Sequence, residues 1–298
     1  MTTKIRSAKQ YRFKAFLGKA WIHGLLGLIG LMAVIPMILI VSVSFSNEIE
    51  LAKNGYKLWP VGFTTFAYEY ILQKPEQILR SYGVTFFVTA AGTALALLVS
   101  SLLAYAMSRK TFRHRNILSL YVFFTLLFSG GMVPSYILVT RYLGLKDNIL
   151  ALILPYTVIA WYVLILRTGF AQMPDEILDS ARIDGAGEWR IFFQIALPLV
   201  KPVLAVIGLF YVLRYWNDWF LALLYIDDSK LYPLQYLLYV LMQNINTLAA
   251  NPQTVNVPIP SQSARMAMAV LAFGPALFSF LLVQKYFVRG LTIGALKG

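Results

Sequence analysis

The chain of 298 residues contains no cysteine and only two histidines, His23 and His114. The absence of cysteine excludes disulfides, thiolate metal sites and cysteine nucleophiles. Two histidines far apart in the sequence argue against a histidine-based metal cluster. The sequence also has no phosphate-cradling G-x-x-x-x-G-K-[ST] loop and no G-x-S-x-G nucleophile elbow. We therefore expect no metal, no cofactor and no enzyme active site on this chain.

Charged residues are scarce as well, at 13% of the chain, whereas 59% is hydrophobic and the mean hydropathy is +0.67. An ordinary soluble domain is about 45–50% apolar. Six apolar stretches approach or exceed the roughly 20 residues that a bilayer-crossing helix needs. The composition therefore predicts an all-α membrane protein with six transmembrane helices. The predicted spans are residues 20–45, 83–107, 117–139, 149–166, 203–225 and 266–287.

The first apolar run follows a basic segment, residues 1–19, and so could be either a secretory signal or a retained helix. A signal has an apolar core of about 7–15 residues and a small-residue cleavage site. This run is longer, and no clear A-x-A follows it. We expect a basic tail over 1–19 and a retained transmembrane domain over 20–298.

The basic residues are unevenly distributed between the predicted loops. With the N-terminus in the cytoplasm and six alternating helices, 17 of the 26 Lys and Arg fall on the cytoplasmic side and eight outside. This bias fits the positive-inside rule with both termini cytoplasmic. Topology and anionic lipid explain the net charge of +13, so we expect membrane lipid and no nucleic acid as partner.

A polar segment, residues 172–200, interrupts the apolar pattern and is predicted to lie in the cytoplasm. Asp175 and Glu176 suit the start of a helix, and Asp179 is placed to pair with Arg182. An apolar stripe is predicted from Ile177, Leu178 and Ala181. Gly185 offers the left-handed conformation that ends helices. A second amphipathic helix is predicted from about Gly187 to Leu197, and Pro198 and Pro202 bound the entry to the fifth span.

The spacing of this loop is specific. Asp179-Ser180-Ala181 is followed by Gly185 and then by Ile195, Leu197 and Pro198. It resembles the signature EAA-x3-G-x9-I-x-LP of bacterial ABC-importer permeases, with Asp-Ser in place of Glu-Ala. From about residue 20 to the end, the chain is similar to the carbohydrate-uptake branch of these permeases, which have a MetI-like type I fold. The segments that carry the wider likeness are 216–219, 265–269 and 284–298, and 128–136 resembles a sub-branch for complex oligosaccharides, including uronate-containing ones.

The resemblance implies that the 172–200 loop docks onto an ATPase. The implied coupling residues are Asp179, Ser180, Ala181, Asp184, Gly185, Ile195, Leu197 and Pro198. It also implies a second, unlike permease, two ATPase subunits that carry ATP and Mg, an extracytoplasmic solute-binding protein received near residues 226–264, and a bacterial inner membrane. Without the resemblance, the loop would be a plain helical hairpin on the membrane surface.

The fifth predicted span carries charge, which is costly within a bilayer and usually faces a cavity or a partner. Arg214 and Asp218 lie four apart, so they either neutralise each other or serve a polar path. The surrounding Tyr215, Trp216, Asn217 and Trp219 supply the planar polar and aromatic groups that bind sugars. We hypothesise that Arg214 and Asn217 contact a passing oligosaccharide and that Arg214 favours an acidic one.

Two rival functions remain open from the sequence. One is an ABC permease for another solute, such as a glycerol phosphoester or an amino acid. The other is a secondary transporter or channel that needs no ATPase. The first differs in the cargo that its binding protein delivers, and the second would depend on an ion gradient and tolerate damage to the 172–200 loop.

Overall fold

The protein is described by a computed structural model that covers residues 2–250 and 260–274, with side chains over 21–248 and 260–274. Across these ranges the chain is helical, and its β-structure is limited to one isolated antiparallel bridge between Ser46 and Phe63. The α-helices are α1 Thr2–Ser44, α2 Glu48–Asn54, α3 Phe66–Ile71, α4 Pro75–Ser108, α5 Arg115–Leu127, α6 Met132–Ile137, α7 Ala160–Ala171, α8 Asp175–Ile183, α9 Glu188–Arg190, α10 Leu197–Leu199, α11 Lys201–Trp216, α12 Phe220–Tyr225, α13 Leu234–Ala250 and α14 261–274. Two π-helices, Leu138–Tyr142 and Ile191–Ala196, and three 3-10 helices, Ile149–Leu152, Leu154–Tyr156 and Ser229–Leu231, complete the set.

Two helices are long and apolar enough to cross a membrane without a break. They are Trp21–Ser44 within α1 and the whole of α4. Three bent pairs also qualify by length and composition, which gives up to five spans over the part of the chain that the structure describes. The first two predicted spans are thus confirmed as continuous helices, and α4 begins eight residues before the predicted residue 83.

The third predicted span, 117–139, is wrong as a single helix. α5 ends at Leu127, and the following helical segment, Met132–Tyr142, is bent from it by 116°. The cause lies in the Gly130-Gly131 pair, since Gly131 has φ +86°, a conformation that other residues rarely adopt. Two shorter apolar helical segments therefore replace the single helix that was predicted.

The fourth and fifth predicted spans also need correction. Residues 149–156 form 3-10 turns bent by 52° from α7, and α7 runs on to Ala171, beyond the predicted end at 166. α11 stops at Trp216 and α12 starts at Phe220, so the predicted 203–225 is interrupted. The predicted break at the prolines before α11 is confirmed by an 84° bend. Of the sixth span, α14 covers 266–274, and 275–287 lies outside the described residues.

The helices α4, α7 and α11 form the core of one compact unit, which comprises 74–243 and 272–274 among the described residues. Val163, Leu166 and Phe170 of α7 are fully buried there. Close approach of α4 and α11 depends on Gly92, because a Cβ at this position would lie 2.7 Å from the Tyr215 ring. Apolar packing and small residues thus hold these helices together, as is usual in membranes.

A second compact unit comprises 2–73, 244–250 and 260–271 among the described residues. In this unit, the carboxylate of Glu48 in α2 binds the start of α14. It accepts hydrogen bonds from the backbone N–H groups of Gln262 and Ser263 at 2.9 and 3.1 Å. The hydroxyls of Ser261 and Ser263 donate to the same carboxylate at 3.0 and 2.9 Å. Glu48 therefore satisfies the free N–H groups at the start of α14, where the helix dipole favours a negative charge.

Candidate functional site

The 172–200 loop begins with α8, an exposed helix held by one apolar edge. Leu178 is 2% exposed and Ala181 is also buried, whereas Ile177 is 40% exposed. The predicted stripe of three residues is therefore reduced to two. On the outward side, the Arg182 guanidinium lies 3.0 Å from the Asp179 carboxylate, which confirms the predicted pair.

α8 ends at a left-handed glycine, as predicted. Gly185 has φ +78°, and no other atom lies within 4 Å of the position that a Cβ would take. The Gly185 N–H donates to the Arg182 carbonyl at 3.0 Å, and the Ala186 N–H donates to the Ala181 carbonyl at 2.9 Å. These bonds satisfy carbonyls that the helix end would leave free, and they turn the chain sharply.

The second half of the loop differs from the predicted single helix over 187–197. It consists of α9, a π-helix over Ile191–Ala196 and α10. Pro198 has no N–H to donate to the carbonyl of residue 194, and the turn before it is widened. Ile191 and Phe192 are buried, whereas the rings of Trp189 and Phe193 are exposed and stacked at 6.1 Å.

Contacts that the sequence analysis missed tie this loop to the end of α4, and one more ties the end of α4 to α7. The Tyr105 hydroxyl donates to the Glu188 carboxylate at 3.2 Å, and Glu188 also accepts from Arg182 at 3.1 Å. The Lys110 ammonium lies 2.8 Å from the Asp175 carboxylate. Buried Arg109 donates to the Phe170 carbonyl at 2.7 Å.

This network has consequences for the titration of the loop. The hydrogen bond and charge of Lys110 hold the pKa of the Asp175 carboxyl below its ordinary value. The hydrogen bond and charge of Glu188 raise the pKa of Arg182 further above neutrality. Each shift favours the charged form of the group concerned, Asp175 or Arg182.

The residues predicted to line a path on the fifth span separate into two groups. Tyr215 and Trp216 lie in the interior: the Tyr215 hydroxyl donates to the Ile153 carbonyl at 2.9 Å, and the Trp216 indole N–H to the Ala272 carbonyl at 3.0 Å. Arg214, Asn217 and Trp219 are exposed. Only the second group presents side chains at a surface of this chain.

Aromatic rings continue from this exposed surface onto α13. Trp219 stacks on Tyr239 with ring centroids 4.7 Å apart. Tyr239 in turn stacks on Tyr236 at 6.3 Å, and Tyr236 meets Tyr232 edge-on at 4.7 Å. The sequence analysis missed this row of tyrosines, although its 3–4-residue spacing is the available signal.

The predicted neutralising pair does not form. Among the described residues, Arg214 makes no ion pair with Asp218, and Tyr156 contacts both instead. The Tyr156 hydroxyl donates to Asp218 Oδ1 at 2.7 Å, and the guanidinium carbon of Arg214 lies 4.0 Å above the Tyr156 ring centroid. Tyr156 was missed in the sequence because it lies 62 residues from Asp218.

Acidic side chains and histidines do not converge into a metal site within the described ranges, where no group of three could hold an ion. The acidic pair Asp227-Asp228 lies in an exposed turn instead. The Asp227 carboxylate lies 3.0 Å from Lys146, and both backbone N–H groups donate to Asp147 at 2.6 and 2.8 Å.

Comparisons with known proteins identify the family to which this helical chain belongs. The family model described as binding-protein-dependent transport system inner membrane component matches residues 96–293. Protein LplC of Bacillus subtilis (strain 168) is 41% identical over 274 residues, 92% of each chain. The polygalacturonan/rhamnogalacturonan transport system permease protein YtcP of the same organism is 38% identical over 279 residues, 93% of this chain and 97% of its own.

A solved structure is similar over nearly the whole chain. It is the crystal structure of a bacterial ABC transporter involved in the import of the acidic polysaccharide alginate, with a TM-score of 0.76 and 29% identity. The likeness covers 91% of this chain and 96% of the matched chain. This chain therefore belongs to the family of binding-protein-dependent permeases with a MetI-like fold, the membrane subunits of ABC importers.

Proposed function

We propose that the chain is one of two unlike permease subunits of an ATP-driven importer that takes up oligosaccharides, including acidic ones, across the bacterial inner membrane. Two ATPase subunits carry ATP and Mg, and an extracytoplasmic protein delivers the sugar near residues 226–264. Both termini and the 172–200 loop face the cytoplasm. The observation that carries this proposal is the exposed helix α8 with its left-handed end at Gly185.

The loop has the physical properties of a coupling element. One edge of α8 is anchored through Leu178 and Ala181, so its exposed face is available to a cleft in the ATPase. The pairs Lys110–Asp175 and Tyr105–Glu188 join the loop to the end of α4, a membrane-crossing helix. When the ATPase closes, displacement of α8 is passed to α4 through these contacts.

The substrate class is supported by chemistry and by relatives. YtcP is named for polygalacturonan and rhamnogalacturonan, and the solved relative for the acidic polysaccharide alginate. Galacturonate carries a carboxylate, and an exposed arginine is suited to bind one. Arg214, Asn217 and Trp219 form the exposed surface of the fifth span in this chain, which we assign to the sugar path.

Mild-detergent purification of the tagged chain from its native membrane, with mass spectrometry, tests the proposal. We expect an ATPase and a second permease to copurify. Gly185→Glu should lose the ATPase and oligosaccharide uptake while keeping the second permease, because the new side chain disrupts the left-handed turn and adds charge. Gly187→Glu adds the same charge at a position with an ordinary φ of −70°. This variant should therefore retain more of the bound ATPase and more of the oligosaccharide uptake than Gly185→Glu.

Two results would contradict this function. One is a chain that purifies alone even after cross-linking at residues 179–185. The other is a Gly185→Glu variant with normal uptake and normal recovery of the ATPase, which would remove the loop from the transport mechanism.

A further inference from the structure

Tyr156 lies between the two charged side chains of the fifth span. Its ring faces the Arg214 guanidinium at 4.0 Å, within the range of a cation–π contact. Its hydroxyl donates to Asp218 Oδ1 at 2.7 Å, the length of a charge-assisted hydrogen bond. The tyrosine is fixed from behind by an edge-on contact with buried Tyr215, at a centroid distance of 6.0 Å.

Both oxygens of Asp218 are occupied. Oδ1 accepts the Tyr156 hydroxyl, and Oδ2 accepts the Leu221 N–H at 3.0 Å, in the first turn of α12. The carboxylate thereby caps a helix, where negative charge is favoured. It is satisfied without the nearby arginine.

Arg214 makes no ion pair with a carboxylate in the described part of the chain, although the charge of Asp218 lies close enough to act on it. It lies in the last turn of α11 and is exposed. A cation at such a position is costly against lipid, so it faces a cavity or a partner. Contact with the face of an aromatic ring orients the guanidinium but leaves its N–H groups free to donate to a carboxylate.

We propose that Tyr156 sets the charge selectivity of the sugar path, by holding Asp218 away from Arg214 so that Arg214 can bind the carboxylate of a uronate. Tyr156 is then a positioning residue, and Arg214 makes the contact with the sugar. The inference rests on the proposed function and names the chemical group that this surface recognises.

The proposal predicts the effect of removing one oxygen atom. Tyr156→Phe keeps the ring beneath Arg214 but removes the hydroxyl, so Asp218 is free to pair with Arg214 and compete with the sugar. A hydrogen bond to a charged group is strong enough for its loss to change such a preference by an order of magnitude. Tyr156→Phe should therefore lower the ratio of acidic to neutral uptake by about tenfold or more.

The double variant Tyr156→Phe with Asp218→Asn separates positioning from simple damage. Asparagine can still accept the Leu221 N–H but carries no charge to compete for Arg214. We expect the double variant to regain most of the acidic-to-neutral ratio. A merely structural role of the hydroxyl would give no such rescue.

The experiment uses the whole importer in proteoliposomes, with its ATPases, second permease and binding protein. Initial uptake rates are measured for trigalacturonate and for its carboxyl-reduced counterpart, a neutral galactose trisaccharide. Because the same binding protein serves every variant, its own preference cancels when ratios are compared. Arg214→Gln serves as the reference for loss of the contact, and Tyr121→Phe is the matched control on an exposed ring of α5.

The outcomes separate the inference from the function on which it rests. A low ratio in Tyr156→Phe with recovery in the double variant supports the inference. An unchanged ratio in Tyr156→Phe, an equal loss of both sugars, a low ratio in Tyr121→Phe, or no recovery in the double variant overturns it. An importer that transports neither trisaccharide before any substitution overturns the oligosaccharide function itself, and the inference with it.

Discussion

At the scale of single residues, Gly185 and Gly187 show that backbone conformation decides whether a glycine can be replaced without strain. Gly185 has φ +78° and Gly187 has φ −70°, and the space around both would admit a Cβ. An L-residue in the left-handed conformation costs about 1–2 kcal/mol. We expect Gly185→Ala to raise the rate of limited proteolysis within the 172–200 loop. Gly187→Ala should leave that rate nearly unchanged.

A free-energy cost of this size corresponds to about a 5–30-fold increase in the open population. Gly185→Ala should therefore be cleaved faster by about that factor under conditions where opening precedes cleavage. Equal rates in the two variants would show that the turn at Gly185 does not limit the order of the loop.

Local signals at this scale were sufficient for Gly185 and for the Asp179–Arg182 pair, since each depends on residues within one or two turns. They were insufficient for Tyr156 and Tyr105. Their carboxylate partners lie 62 and 83 residues away, and a single sequence carries no distance information over that range. The sequence left open whether Arg214 and Asp218 neutralise each other, and it could not show that a distant tyrosine hydroxyl binds the carboxylate.

At the scale of helices, the apolar runs predicted where membrane segments occur but not how they are broken. Hydropathy averages over about 20 residues, whereas a break depends on a few. Gly131 with φ +86° and the 3-10 turns at 149–156 redirect segments that are apolar throughout. Continuous helices were therefore predicted correctly for α1 and α4, and wrongly for the third, fourth and fifth spans.

Two neighbouring basic residues just after α4, Arg109 and Lys110, make contacts that differ in burial. Arg109 is buried and donates to the Phe170 carbonyl near the end of α7, whereas neighbouring Lys110 pairs with Asp175 in the open, with the lysine side chain 77% exposed. A hydrogen bond to a charged group contributes about 1.5–3 kcal/mol when its loss leaves a buried partner unsatisfied. Exposed pairs contribute little because solvent screens them.

We expect Arg109→Met to lower the thermal unfolding midpoint in mild detergent by about 5 °C. The methionine keeps part of the apolar stem, so that the loss reflects the hydrogen bond more than packing. Lys110→Met, one residue away, should leave the midpoint nearly unchanged. A larger drop in the unfolding midpoint for Lys110→Met than for Arg109→Met would show instead that the exposed Lys110–Asp175 pair is the stabilising contact.

At the scale of the whole molecule, the permease must be coupled to a source of energy for transport. Its sequence contains no phosphate-binding loop of the G-x-x-x-x-G-K-[ST] type. It belongs to a family of permeases that depend on a binding protein, and its 172–200 loop is tied to a membrane-crossing helix. The energy for transport must then enter through this loop from another protein or through an ion gradient across the membrane.

These two sources of energy predict opposite results in proteoliposomes that contain the complete importer. We expect oligosaccharide uptake to require ATP on the side of the 172–200 loop and to persist when ionophores abolish ion gradients, because closure of the ATPase moves α8. The variant Gly185→Glu should remove ATP-driven uptake in the same preparation. Uptake that stops with ionophores and proceeds without ATP would instead identify a secondary transporter, in which α8 is only a surface helix and damage to it is tolerated.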